Sequence, residues 1–237
     1  GTGFVADNSA GLIITAAHIF YDVKEGSKVA PKYKGYKSPS AVIGIMKEGD
    51  TASFTYSAKI MTETITNVDA VVLRITTKFN IPLPCPSFHL KPQLEIAMNY
   101  GKFKYEKISM LKLTKPRIDE QIRIIGFIQK GEGIYEQGKI INHTPSVSRG
   151  YVRNIKECVS PIAQNDTDIF STRSEITVSC FSCPGQNGGP CVNQDGNVIG
   201  ILIRMHPNNE GVCYLAPNSE LQLLLRDAKN RIPRRKK

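Results

Sequence analysis

The chain has 237 residues, 41% of them hydrophobic, which is enough for a sizeable core in one or two domains. No apolar run reaches about 18 residues, which excludes a helical membrane span, and six cysteines are too few for a disulfide scaffold in a chain this long. The formal charge of +10 fits an anionic partner, nucleic acid or an acidic surface, met through the lysine-rich stretch at 24–37 and the basic tail at 233–237, but no motif that reads bases accompanies it.

In chain order, the predicted elements are short strands rich in Ile and Val. They are GLIITAA, AVIGIM, DAVVLRI, IRIIGFI, GKIIN, EITVSCF, NVIGILI and VCYLA, with Gly, Pro, Asn and Asp between them. QDGN at 194–197 predicts a hairpin turn between PCV and VIGILI. The stretches 76–120 and 142–172 read as a connection and a long loop. One helix is expected over about 219–231, with Asn218 or Ser219 as its cap, and Leu221, Leu224 and Leu225 sharing a face before Pro233. Many short strands and one helix predict an all-β protein, a sandwich or barrel. The opening residues lack the charged, apolar and cleavage regions of a signal peptide, so the compartment stays open.

Three motifs carry the chemistry, and their order matters. GTGFVADNSAGLIITAAHIF places His18 at the end of an apolar strand, and TNVDAVVLRI places Asp69 at the start of another. CPGQNGGPCVNQDGNVIGI follows, with a glycine-rich turn around Asn187. The logic is that of a triad: a carboxylate orients an imidazole, the imidazole takes a proton from a nucleophile, and backbone N–H groups hold the oxyanion. CFSC at 180–183 with Cys191 touches on zinc spacing, His206 being the candidate fourth ligand, but free buried thiols are the simpler reading.

On these motifs, and on YSAKIM, IIGF, EQGKII and YLAPNSEL, the chain resembles the serine proteases of the chymotrypsin/trypsin fold, closest to the Deg/HtrA-type trypsin-like peptidases. The resemblance implies two packed six-stranded β-barrels and a C-terminal helix, all within a peptidase domain at 1–232. The first barrel would span about 1–85 and the second about 105–217, and residues 233–237 would form the tail. It implies His18 as general base, Asp69 as its orienting carboxylate, and the N–H groups of Gly185 and Asn187 as the oxyanion hole. Phe181 and Ser182 would lie at the substrate pocket, Phe181 resembling the floor of a shallow apolar one.

The pattern breaks at Asn187, which stands where the serine is expected and makes the chain inactive as written. Cys183 and Cys191 each lie four residues away, and neither would face His18 without a rebuilt loop. Gln186 replaces the acidic residue that zymogens use to bind a freed N-terminus, so activation by that route is not expected. Asn187-Gly188 is also a little-shielded dipeptide open to slow deamidation. Two readings of Asn187 stay open, an engineered or variant form of an active endopeptidase and a natural pseudoprotease. The alternatives in function are a peptide-binding regulatory module and a basic protein for nucleic acid or anionic surfaces. A polypeptide substrate or peptide ligand is the expected partner, and no metal or organic cofactor is implied.

Overall fold

A computed structural model describes residues 1–24, 28–31, 40–45, 53–62, 68–83, 95–97, 112–128, 144–159 and 173–232. The first sheet contains β1 (Gly3–Asp7), β2 (Leu12–Thr15), β5 (Ser40–Ile45), β6 (Ser53–Ile60), β7 (Val71–Leu83) and β8 (Glu95–Ala97). Its order is β1-β2-β7-β6-β5, with β8 paired to β7, and β3 (Tyr21–Lys24) and β4 (Lys28–Pro31) form a separate hairpin. Six further strands close into a barrel in the order β10-β11-β14-β13-β12-β9. They are β9 (Gln121–Ile128), β10 (Thr144–Val159), β11 (Arg173–Cys180), β12 (Pro190–Asn193), β13 (Val198–His206) and β14 (Asn209–Pro217). Helix α1 (Asn218–Asn230) follows β14 directly. The architecture is thus all-β, as expected, with one barrel closed and the other sheet an open path among the described residues.

The apolar runs in the sequence reflect strands buried on both faces. On β13, Ile199 and Leu202 fill the closed barrel with Ile122, Ile124, Val152, Ile176 and Val178. Val198, Ile201 and Ile203 of the same strand turn outward onto Phe4, Leu12 and Ile14 of the first sheet and onto Leu221 and Leu224 of α1. Ile13, Val71, Leu73 and Ile75 build the first sheet's own core. The two sheets are therefore held together by a continuous apolar seam, with the helix laid along it.

Fully burying an Ile or Leu side chain contributes about 1.5–3 kcal/mol. By contrast, the helix's 2.7 Å ion pair from Lys229 to Asp7 involves a half-exposed lysine and is worth at most about 1 kcal/mol. Packing, not charge, docks the helix. Burial works to raise the Asp7 pKa, but the bonds from Lys229, Ser9 and the Ala10 N–H outweigh it and hold the carboxyl below its usual value. The pair's contribution is therefore present above about pH 4 and fades as pH falls through that lowered pKa.

Several sequence expectations are corrected. The long loop expected at 142–172 contains β10, a 16-residue strand. Its inward positions near the site carry Ser148 and Gly150, while Val147, Arg149 and Tyr151 face solvent, so the usual apolar alternation is inverted. Gly150 is required there, because a Cβ would meet the Ser179 carbonyl oxygen at 1.8 Å. The connection expected at 76–120 is entered by β7, which runs to Leu83, and contains β8. The lysine-rich stretch carries the β3–β4 hairpin. Pro217, not Asn218 or Ser219, caps α1, and no side chain bonds the helix start; Asn218 is instead buried as the first helical residue. The GKIIN segment, residues 84–94 and 98–111 of the expected connection, and the tail at 233–237 lie outside the described residues.

Among the described residues, an ion pair between β11 and β13 is largely enclosed. The guanidinium of Arg204 on β13 donates to both oxygens of Glu175 on β11 at 3.2 Å and lies over the Tyr214 ring at 4.2 Å. The Glu175 carboxylate is almost fully enclosed. Removing the carboxylate withdraws both of its bonds from the largely enclosed Arg204 guanidinium, so Glu175→Ala is expected to lower unfolding free energy, by up to about 3–5 kcal/mol. Urea denaturation checks this, and the double replacement Glu175→Leu with Arg204→Met is expected to recover most of the loss.

Candidate active site

The site lies where the turn between β11 and β12 meets the first sheet beyond the end of β2. β2 ends at Thr15, and the fully buried Ala16 and Ala17 lead into a single 3₁₀ turn, Ala17–Ile19, that presents His18. Asp69 stands just before β7, the neighbour of β2, and is buried to 5% exposure. Both its oxygens are engaged by the same residue. Oδ1 accepts the backbone N–H of His18 at 2.9 Å, and Oδ2 lies 2.7 Å from Nδ1 of the ring. A carboxylate at that distance fixes the proton on Nδ1 and leaves the Nε2 lone pair outward. Nε2 lies 3.1 Å from the Asn187 side-chain nitrogen, which donates to it. The three residues singled out from separate motifs therefore meet in one line, carboxylate to imidazole to residue 187.

The turn that carries Asn187 joins β11 to β12 and accounts for nearly all of its own backbone donors. Gln186 N–H donates to the Cys183 carbonyl at 3.1 Å, Gly188 N–H to Leu202 at 2.7 Å, and Gly189 N–H to Gln186 at 2.8 Å. Cys183 N–H donates to the Gln186 side-chain oxygen at 2.8 Å. Pro184 has no N–H. Among the described residues, the N–H groups of Gly185 and Asn187 donate to no protein acceptor, and these are the two positions expected to hold an oxyanion. Gly185 has φ 98°, open to glycine at no steric cost. At Gly188, with φ 84°, a Cβ would meet the Thr2 carbonyl at 2.2 Å and the Thr15 hydroxyl at 2.3 Å, so the turn packs with no space for a side chain.

Gln186 is fully buried, and its amide also exchanges hydrogen bonds of 3.3 and 3.4 Å with the Ser148 hydroxyl of β10. A neutral side chain thus ties the turn to the barrel wall internally, where an acid would need a cationic partner. Ser148 drew no attention in the sequence, because its strand read as a loop. Thr2 carries no sequence signal of its own, and it too contacts the turn, through its N–H to the Asn187 carbonyl at 2.9 Å.

An amide at 187 changes what the line can do. Its nitrogen is delocalised into the carbonyl and is a very poor nucleophile, so the imidazole has an N–H to accept from and no hydroxyl to activate. Cyclisation of Asn187 onto the Gly188 nitrogen, the first step of deamidation, would require that nitrogen to leave its bond to Leu202, so the folded turn protects the dipeptide.

The remaining sequence candidates sit around this centre. Phe181 follows β11 and is 69% exposed, with its ring beside Gly211. Ser182 is half-buried, and its oxygen lies 3.4 Å from the Cys213 sulfur. Cys180, Cys191 and Cys213 are buried free thiols. Among the described residues, no three His, Cys, Asp or Glu side chains are grouped to hold a metal. Burial, helped by Cys213, pushes the Cys180 thiol up to about 12, and burial raises Cys191 and Cys213 as well. Since the thiolate is the reactive form, iodoacetamide on the folded protein at pH 8 is expected to label half-buried Cys183 and spare these three, which peptide mapping by mass spectrometry reads directly.

Comparison with known proteins bears on the family and the fold. A family model described as trypsin-like peptidase domain matches residues 1–201. No curated protein matches the sequence at a significant level. Among solved structures, a serine-to-alanine mutant of Rv3671c from M. tuberculosis H37Rv, in an inactive form, aligns with TM-score 0.54 and 16% identity, covering 99% of this chain and 83% of that one. The active form of the Rv3671c protease from M. tuberculosis aligns with TM-score 0.56 at the same 16% identity, covering 96% of this chain and 73% of the other. At such identity the likeness establishes a shared fold.

Proposed function

The chain belongs to the trypsin-like peptidase family, and from that premise we propose that it is an endopeptidase scaffold arrested at its chemical step by Asn187, with a cleft that binds polypeptide without cleaving it. The observation that carries this reading is the 3.1 Å contact from the Asn187 amide nitrogen to His18 Nε2, in line with the 2.7 Å contact from His18 to Asp69. A base held in its working tautomer is aimed at a side chain that cannot attack a carbonyl. In a serine form, His18 would take the hydroxyl proton as oxygen attacks the scissile carbonyl. The N–H groups of Gly185 and Asn187 would hold the developing oxyanion, and His18 would then return the proton to the leaving amine. Asp69 would keep the imidazole oriented and stabilise its charged form.

The test is a paired assay of the chain and its Asn187→Ser variant against a peptide library. Cleavage by the variant alone supports the reading. Cleavage by the asparagine form would show that residue 187 is not the nucleophile position. Cleavage by neither would mean that the cleft has lost more than its serine.

A further inference from the structure

We propose that Thr2 is a positioning residue for the oxyanion hole, acting through the peptide units that follow each of the two N–H donors. This rests on the reading of Gly185 and Asn187 given above. Thr2 is 5% exposed, and every hydrogen-bonding group it carries is engaged. Its hydroxyl donates to the Gly185 carbonyl at 2.8 Å and accepts the Phe127 N–H of β9 at 3.0 Å. Its N–H donates to the Asn187 carbonyl at 2.9 Å. Its own carbonyl accepts from the Thr15 hydroxyl at 2.5 Å, three residues before His18.

The consequence lies in which peptide planes are gripped. The 185–186 unit is held at its nitrogen end by the bond from Gln186 N–H to Cys183, and at its oxygen end by the Thr2 hydroxyl. The 187–188 unit is held at its nitrogen end by the bond from Gly188 N–H to Leu202, and at its oxygen end by the Thr2 N–H. Each oxyanion donor therefore immediately precedes a peptide unit fixed at both ends, and Thr2 supplies one end of both. Through Thr15, the same residue ties those planes to the strand that delivers His18. The distance between base and oxyanion donors is then set by one residue, whose backbone and hydroxyl together bridge the first sheet, the closed barrel and the turn. The side-chain part of this clamp belongs to Thr or Ser alone, since it needs a hydroxyl that donates and accepts at once.

Removing the hydroxyl leaves the Gly185 carbonyl and the Phe127 N–H without their partner and frees the 185–186 plane to rotate. A misplacement of about 1 Å in such a site costs on the order of 10²-fold in rate. The experiment has two arms. In the Asn187→Ser background, Thr2→Val is expected to lower kcat and kcat/KM together by about 10²-fold with KM within about threefold, the signature of an interaction made in the transition state. Thr2→Ser is expected to keep kcat within about threefold of the parent. A generally weakened fold would not spare the serine variant in this way. In the chain with Asn187 retained, a crystal structure of Thr2→Val is expected to show the 185–186 peptide turned and the Gly185 N–H displaced, with Thr2→Ser unchanged. If Thr2→Val does not fold, Thr2→Ala takes its place in both arms. Unaltered kcat together with an unaltered 185–186 peptide overturns the assignment. If Asn187→Ser itself cleaves nothing, the arrested-peptidase reading fails separately, and the crystallographic arm alone decides the role of Thr2.

Discussion

Replacing Asn187 with serine is expected to raise peptide hydrolysis by on the order of 10⁶-fold, the size of effect seen when a triad nucleophile is lost from a working protease. The expectation follows from what the substitution does not have to build. The imidazole already lies 2.7 Å from Asp69 and 3.1 Å from the residue-187 side chain, and the turn already leaves two N–H groups without protein acceptors among the described residues. A serine oxygen in that place accepts the geometry and adds a proton that His18 can take. Steady-state kinetics on a peptide selected from the library measures it. A gain of less than about 10³-fold would mean that the donors or the base are not aligned for attack.

Asp69→Asn in the serine background is expected to lower kcat by about 10⁴-fold while leaving the fold intact. The carboxylate accepts two bonds from His18, one from the backbone N–H and one from the ring. An amide can accept only one of these through its oxygen. If the oxygen keeps the backbone N–H, the amide N–H faces Nδ1 and moves the ring proton to Nε2, and the base then points its lone pair away from the nucleophile. Substrate binding does not involve Asp69, which is buried, so KM is expected to change little. The measurement is kcat and KM for the pair of variants, with thermal melting to confirm an intact fold.

How much of this was legible in the sequence depended on whether a residue's neighbours in space announced themselves in its own segment. His18 and Asp69 each sit beside long apolar strands, and Asn187 lies in a glycine-rich turn, so each segment carries its own sign. The β12–β13 hairpin was legible for the same reason, with Gly196 at φ 77° in the QDGN turn. β10 was not, because the residues that make it a barrel strand, Ser148 and Gly150, are small and polar to make room for Gln186 and the Ser179 backbone. Periodicity reads apolar side chains, and here the inward face has few. The helix cap was misread because Asn218 has the right chemistry but is drawn into the seam, where burial overrides local preference. Thr2 could not be found by any local pattern, since its partners come from residues 15, 127, 185 and 187.

These distant partners also mean that the backbone of the turn does not depend on the side chain at 187. None of the bonds that hold the turn uses the side chain of residue 187. The frame is built by Gln186, Thr2 and the glycines, and an amide or a hydroxyl at 187 is compatible with the same backbone bonds.

The most direct measurement is covalent labelling with a serine-directed phosphonate probe, mapped by mass spectrometry, on three proteins: the chain as it stands, Asn187→Ser, and Asn187→Ser with His18→Ala. The account predicts a single adduct on residue 187 in the second protein, with none in the first and none in the third. An adduct on the asparagine form, at Cys183 or at any other residue, or labelling of the serine form that persists without His18, would contradict it.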